Sequence, residues 1–284
     1  MTSEPMEDLL RAPQGAIDLS ARETNASPGF DGGKKDGKVA LLGLGAGLAD
    51  LQERLFAHGM SGGHKNLLLV LQGMDTSGKG GTLRKTVGLM DPQGVRITSF
   101  KAPTPEELEH DFLWRVHRAL PGPGYVGVFD RSHYEDVLIA RVRELAPAEE
   151  IERRYDAINA FEADLVESGT TIVKCMLHIS ADEQRERLLA RLNKPNKYWK
   201  YNPADVDERQ RWPAYREAYE IAIERTNTDV APWYVIPADK KWYRNLAIGH
   251  LLHHALSELH LDWPSADFDV EEERRRLAEE DPIT

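Results

Sequence analysis

One cysteine in 284 residues, Cys175, excludes an intrachain disulfide, and no Cys or His spacing around it suits zinc. It sits in an apolar run, so a buried structural thiol is its expected role. Long hydrophobic runs are missing too: none approaches the about 20 residues that cross a bilayer, and the first residues show no signal-peptide h-region. The expectation is a cytoplasmic protein with no membrane contact. An excess of positive charge is also lacking. The net charge of -11 argues against nucleic acid as a partner. Nothing resembles a Ser-His-Asp triad. His250, His253 and His254 lie on one late helix with no acidic neighbour in sequence, which points to core or surface histidines rather than a metal site.

The charge that is present is unevenly spread. Between Ser265 and Thr284 eight acids face three arginines, so nearly half of the negative excess lies in this tail. Arg191 to Lys200 has the opposite character, with Arg191, Lys194, Lys197 and Lys200 and no acid. The global charge hides a local field that could attract a polyanion.

At 41% hydrophobic the chain can bury a full core. Residues 1–38 mix Pro, Gly, Ser and charge without periodicity and read as a loose, flexible N-terminal arm. Residues 39–264 read as one domain, and 265–284 as an acidic C-terminal tail. A helix is expected over 39–58. Its Gly43-x-Gly45-x-Gly47 has no preceding strand and the wrong spacing for a dinucleotide site, so close packing is the better reading.

From residue 67 onward strands alternate with helices. Strands are predicted at 67–72, 95–100, 125–130, 171–179 and 232–237. Helices are predicted at 80–90, 104–119, 133–143, 148–167, 180–192, 212–227 and 241–258. Thr104-Pro-Glu-Glu107 and Ser180-Ala-Asp-Glu183 read as capping boxes. The pattern implies an α/β fold: a parallel sheet flanked by helices, with ligands at the carboxyl ends of the strands. The segment around 193–216, with Pro195, Pro203, aromatics and charge, interrupts the alternation as a surface excursion.

The first strand runs into Gly73-Met-Asp75-Thr76-Ser77-Gly78-Lys79-Gly80-Gly81-Thr82. Glycine-rich chain between a strand and a helix lets a polyphosphate approach the backbone, where amides of residues 76–81 and Lys79 could meet it. The Gly73-x4-Gly78-Lys79 spacing fits a P-loop. Gly80, however, stands where a P-loop has its metal-ligating hydroxyl. Asp75 is the nearest substitute, and Thr82 would act from another helix face.

Val126-Gly-Val-Phe-Asp130 is a strand ending in an acid, followed by Arg131-Ser132-His133-Tyr134-Glu135-Asp136. With Asp75 it offers two carboxylates for magnesium, and Arg131 could lie over a transferring phosphate. The plainer reading is a helix cap with an Asp–Arg pair, and the two are compatible. Arg187 and Arg191, one turn apart, lead into Lys194 and Lys197. Leu188, Leu189 and Leu192 are expected to face the core. This resembles the helical lid of a nucleotide kinase, against the alternative of an ordinary solvated basic face. Tyr198, Trp199, Tyr201 and Trp212 could stack on a base or pack the lid.

These motifs in this order, together with Ser99-Phe-Lys101-Ala-Pro-Thr104 and His110-Asp-Phe-Leu-Trp-Arg115, resemble the family-2 polyphosphate kinases over about residues 60–260. The resemblance implies a P-loop kinase-like fold and reversible phosphoryl transfer between inorganic polyphosphate and nucleotides. It implies magnesium or manganese and a homodimer or homotetramer. Carried onto this chain, Asp75 and Asp130 would hold the metal, while Lys79, Arg131 and Arg191 would neutralise the phosphates. Glu135 looks like the subgroup that accepts AMP as well as ADP. An ATP-dependent nucleoside or nucleoside-monophosphate kinase is the alternative, and a non-catalytic phosphate-binding module the second.

Overall fold

Asn-Leu-Leu-Leu-Val-Leu-Gln has no polar alternation, which is how a strand buried on both faces reads. In the computed structural model, which describes residues 4–280, it is β1 (Asn66–Gln72), and all seven residues are buried. Before it come α1 (Met6–Leu10) and α2 (Lys34–Met60). After it the chain continues through α3 (Lys79–Lys85), β2 (Val95–Ser99), α4 (Pro105–Leu108), α5 (Trp114–Ala119), β3 (Val126–Asp130) and α6 (Ile139–Val142). Next are α7 (Ala148–Glu167), β4 (Thr170–His178), α8 (Ala181–Leu192), α9 (Ala204–Gln210) and α10 (Trp212–Thr226). The last elements are β5 (Trp233–Pro237), α11 (Lys241–Ser257) and α12 (Val270–Glu279).

All five strands are parallel, in the order β2-β3-β1-β4-β5. The fold is therefore the α/β parallel sheet that the alternation predicts. Helix α7 packs on β4 and α10 on α7, while α11 packs on β4 and β5 and carries α2 and α3 with it. Chain direction diverges at β1: the next strand in sequence lies two places to one side and β4 lies on the other. Such a switch point leaves a crevice at the carboxyl ends. Register fills it, because Leu71 pairs with Asp130 and Asp130 with Ser99, so the ends of β1, β3 and β2 converge.

The N-terminal arm differs from the expected loose segment. Met6, Leu10, Ala12, Ile17 and Leu19 are buried in the core. Arg11 forms an antiparallel bridge with Tyr234, and the Ala12 amide donates to the Trp233 carbonyl at 2.8 Å. An open edge of a parallel sheet invites association, and here the arm covers β5. No local periodicity announces this, since the apolar residues of the arm find their partners only across the fold. Glu7 also supplies the acid that the late histidines lack in sequence, 2.9 Å from His250 Nε2.

Three predicted helices are shorter than expected; 80–90 ends at Lys85 as α3 and is followed by a tight turn at 87–89. Residues 104–119 divide into α4 and α5 because the chain restarts at Asp111, whose carboxylate accepts the Leu113 amide. Residues 133–143 become a tight turn at 133–136 followed by α6. The Thr104 capping box is complete, whereas at Ser180 only half forms, because Glu183 turns to Arg187 instead of the cap amide. Cys175 is buried and free, and burial raises its thiol far above the ordinary range. No helix among the described residues is long and apolar enough to cross a membrane. Of the acidic tail, residues up to 280 are described and include α12; Asp281 lies outside them.

Candidate active site

The loop after β1 is held from below by two arginines. Arg187 is buried, and all five of its N–H donors are spent. Nε meets Glu183 at 2.6 Å, Nη1 the carbonyls of Thr76 and Ser77, and Nη2 those of Ala238 and Asp239. It fixes the loop to the β5–α11 connection and has no hydrogen left for a phosphate, so the phosphate contact expected of it is not available in this arrangement. Arg244, only 3% exposed, reaches the Ser77 carbonyl at 3.1 Å and the Asn245 side chain at 2.8 Å. Two of its N–H groups are left unspent. Burial, with the Arg187 guanidinium nearby, pushes its pKa down to about 9.

Gly78 is forced by this packing. Its φ is +112°, and a Cβ there would fall 1.7 Å from Arg244 Nη1. Gly78→Ala is expected to lower kcat/KM about a hundredfold, the scale of an ångström-sized misplacement of phosphate-binding groups. Steady-state assays beside a thermal melt would separate this from unfolding.

Not every amide of the loop faces outward. Ser77 N–H donates to Met74 and Gly81 N–H to Gly78, whereas those of Thr76, Gly78, Lys79 and Gly80 donate to no described group. The side chains of Ser77 and Thr82 are buried away from the cavity, so neither hydroxyl replaces the one that Gly80 removes. A Cβ at Gly80 would meet nothing, which leaves the mouth of the loop clear. Gly73 donates its amide to the Tyr219 hydroxyl at 3.0 Å, and Lys79 Nζ meets the Gly73 carbonyl at 2.8 Å.

Asp75 and Arg131 face each other across the crevice, Oδ1 to Nη2 at 3.0 Å. Thr76 and Arg131 both have φ of +64°, unusual for non-glycine residues, and such strain gathers where side chains must be aimed. Asp130 is partly exposed, and its carboxylate accepts from no described residue. Burial and Arg131 lower the Lys79 ammonium against the pull of Asp75, Asp130 and Glu135. Burial raises the Glu135 carboxyl, opposed by Arg131 and Lys79. Gln72, its amide turned so that both ends find partners, donates to Glu135 at 3.0 Å and accepts the Ser132 amide at 3.1 Å.

Two cavities meet at this pair. A basic one of about 710 Å³ holds the P-loop, Asp130, Lys101, Arg191 and Lys197. A smaller one of about 240 Å³ runs from Asp75, Arg131 and Glu135 to an aromatic wall of Trp212, Tyr215 and Tyr219. Asp75 and Arg131 line both. The segment read from sequence as a lid departs from that reading in detail. Lys194 lines neither cavity while Lys200 lines the basic one, and Leu189 and Leu192 are exposed, at 52% and 43%. The reason is that α8 buries Gln184, Arg187 and Leu188, and leaves Leu189 and its last turn in solvent. Arg191 donates to the Lys200 carbonyl at 2.8 Å and lies 3.5 Å from Asp205, tying the end of α8 to the segment that follows it.

A model of the family described as Polyphosphate kinase 2 (PPK2) matches residues 32–262. The chain belongs to this family. A solved polyphosphate kinase 2 from Arthrobacter aurescens TC1 is 54% identical, covers 98% of each chain and superposes with a TM-score of 0.95. An "AMP/ADP-polyphosphate phosphotransferase" of Meiothermus ruber is 46% identical over 90% of this chain and 94% of its own. An "ADP-polyphosphate phosphotransferase" of Rhodopseudomonas palustris is 42% identical over 76% of this chain and 78% of its own.

In this family member, sequence reasoning missed Arg244, Lys241, Gln184 and Tyr219. Arg244 left one signal, a lone charge in the run Trp242-Tyr243-Arg244-Asn245-Leu246-Ala247-Ile248. A buried cation needs an anion, and the run itself supplies none. Tyr219 and Gln184 left none, being ordinary residues on helices.

Proposed function

We propose that this protein moves phosphate between inorganic polyphosphate and nucleotides, AMP to ADP and ADP to ATP, in either direction. The observation that carries the proposal is the pair of cavities joined at Asp75 and Arg131. Polyphosphate would lie in the basic one and the nucleotide in the smaller one, so the phosphoryl group passes where the two meet. The names of the Meiothermus and Rhodopseudomonas relatives agree with this pair of substrates. They favour it over an ATP-dependent nucleotide kinase.

The chemistry asks little of general bases. A nucleotide phosphate oxygen is already a nucleophile, so catalysis can rest on in-line placement and charge stabilisation. Lys79 and the free loop amides hold the donor phosphates. Arg131, kept charged against its burial by Glu135 and Asp75, spans the reacting groups. Arg191, Lys197 and Lys200 close over them and exclude water.

Asp75 and Asp130 would hold magnesium or manganese. The unpartnered Asp130 carboxylate and the free Oδ2 of Asp75 fit a hard cation. No cluster of three or more potential protein ligands exists among the described residues, so phosphate oxygens and water would complete the shell. When bound, the metal supplies charge neutralisation across the phosphates.

Glu135 is proposed to favour monophosphate acceptors. Glu135→Asn is expected to lower kcat/KM for AMP at least about tenfold more than for ADP, a difference of about 1.4 kcal/mol. Parallel assays with the two acceptors would check it. Assembly as a homodimer or homotetramer in a reducing cytoplasm belongs to the same proposal, and light scattering would test the assembly.

The deciding experiment supplies polyphosphate as sole donor, with magnesium and either AMP or ADP. Formation of ADP and ATP from AMP supports the full reading. No product with polyphosphate, but turnover with ATP, transfers the case to the nucleotide kinase.

A further inference from the structure

Behind the P-loop lies a groove of about 670 Å³ between α2, α3 and α11, which the transfer scheme above does not use. It opens into the basic cavity, since Gly81, Arg84, Lys241 and Arg244 line both. Its charge is one-sided. Lys34 and Lys38 come from α2, Arg84 and Lys85 from α3, and Lys240, Lys241 and Arg244 from the start of α11, against Asp239 alone. This is a concentration of positive charge in a chain of net charge -11.

Ordinary surface solvation does not account for the arrangement. Lys34 begins α2 and Lys38 lies one turn later, while Lys240 is the N-cap of α11 and Lys241 its first residue. The helix dipole disfavours cations at these ends and favours anions there. Among the described residues, Lys34, Lys38, Arg84, Lys85 and Lys240 form no ion pair within 4.0 Å, and Lys241 has only Glu183 at 3.7 Å. Arg244, 97% buried on its 3% exposure, keeps two unspent N–H groups where the groove joins the P-loop. Leu41, Leu42 and Trp242 give the groove an apolar floor. A low-dielectric wall strengthens the field of the charges above it, and lysine stems can lie along it.

We propose that this groove is a track for the part of the polyphosphate chain beyond the transferring phosphates, with Arg244 at its inner end and Lys34 and Lys38 at its outer end. The inference rests on the function proposed above and deepens it. A linear polyanion without bases fits better than a nucleotide or nucleic acid. The one aromatic in the groove, Trp242, is engaged edge-on by Phe30 and Tyr243 at 5.8 and 5.9 Å, and no second ring stands opposite to sandwich a base.

The track predicts dependence on chain length. A short donor such as tripolyphosphate fills the P-loop cavity alone, whereas a long chain reaches the groove. The test is the double variant Lys34→Glu/Lys38→Glu, both at exposed positions on α2, against a charge-matched control, Arg274→Glu/Arg275→Glu, on α12. Expected is a rise of about tenfold in KM for long-chain polyphosphate, equivalent to about 1.4 kcal/mol. The KM for tripolyphosphate and both kcat values should stay within about twofold, inside the range of surface changes. The control should behave as wild type.

An unchanged KM for long-chain polyphosphate in the variant, or an equal rise with both donors, would overturn the track while leaving the transfer reaction standing. If the wild type transferred from neither donor, the proposed function would fail. Equilibrium binding of long-chain polyphosphate by wild type and variant would then decide the track alone, a difference supporting it and equal affinity rejecting it.

Discussion

Asp130→Asn is expected to lower kcat about a thousandfold while leaving the melting temperature nearly unchanged, at the upper end of what one group stabilising transition-state charge supplies. The substitution keeps the size of the side chain and removes one charge. In the fold Asp130 stabilises nothing that can be seen, since no described residue donates to its carboxylate. What register does is bring it beside the end of β1 and the start of the P-loop. A carboxylate held at a crevice without a partner awaits a cation, and its loss should also raise the magnesium concentration needed for half-maximal rate. Asp75→Asn is a less clean test, because it also weakens the pair with Arg131. Assays over a magnesium series, with thermal melts of the same preparations, check the expectation. Wild-type kcat in Asp130→Asn would remove this residue from the mechanism.

The second large effect is on stability. Lys174 in β4 is fully buried, with Nζ 2.5 Å from Glu162, 2.9 Å from the Tyr134 hydroxyl and 2.8 Å from the Thr226 carbonyl. Tyr134 and His133 meet the other oxygen of Glu162 at 2.8 and 3.2 Å. This network lies behind the turn that carries Glu135, so it anchors one wall of the crevice. Lys174→Met leaves the Glu162 carboxylate buried without its cation, a loss of about 3–5 kcal/mol. For a chain of this size that corresponds to about 10 °C or more in the melting temperature.

The pH dependence has a definite sign. Burial alone would raise the Glu162 carboxyl, but Lys174 and His133 hold it below its ordinary range. The wild type keeps that contribution above the unfolded carboxylate pKa and loses it as pH falls through the depressed value. In Lys174→Met burial acts unopposed by the ammonium, so the folded state takes up a proton more readily. The deficit against wild type should therefore narrow as pH falls. Adding Glu162→Leu should recover much of the loss, because an apolar pair of similar volume carries no stranded charge. Melts of the two variants at neutral and mildly acidic pH test both statements.

Local chemistry is what the sequence by itself determined. The unbroken run before Gly73, the spacing from Gly73 to Lys79 and the strand ending at Asp130 each express a short-range rule. Each places a residue without knowledge of the rest of the chain. The five strands and their parallel arrangement followed from the alternation for the same reason.

Only the tertiary structure decided which groups are free to act. Arg187 and Arg191 look equivalent in sequence, one turn apart. In the fold both line the basic cavity, but one spends every donor on Glu183 and backbone carbonyls, while the other gives one to the Lys200 carbonyl and keeps the rest. Thr82 and Ser77 belong to the loop motif, yet both side chains are buried and line neither cavity. Arg244 lies far along the chain from the P-loop and still forms its floor, and α1 holds β5 from the other end of the sequence. A side chain's role depends on which of its polar atoms remain unsatisfied after packing. That balance is struck between residues far apart in sequence, so no local pattern records it.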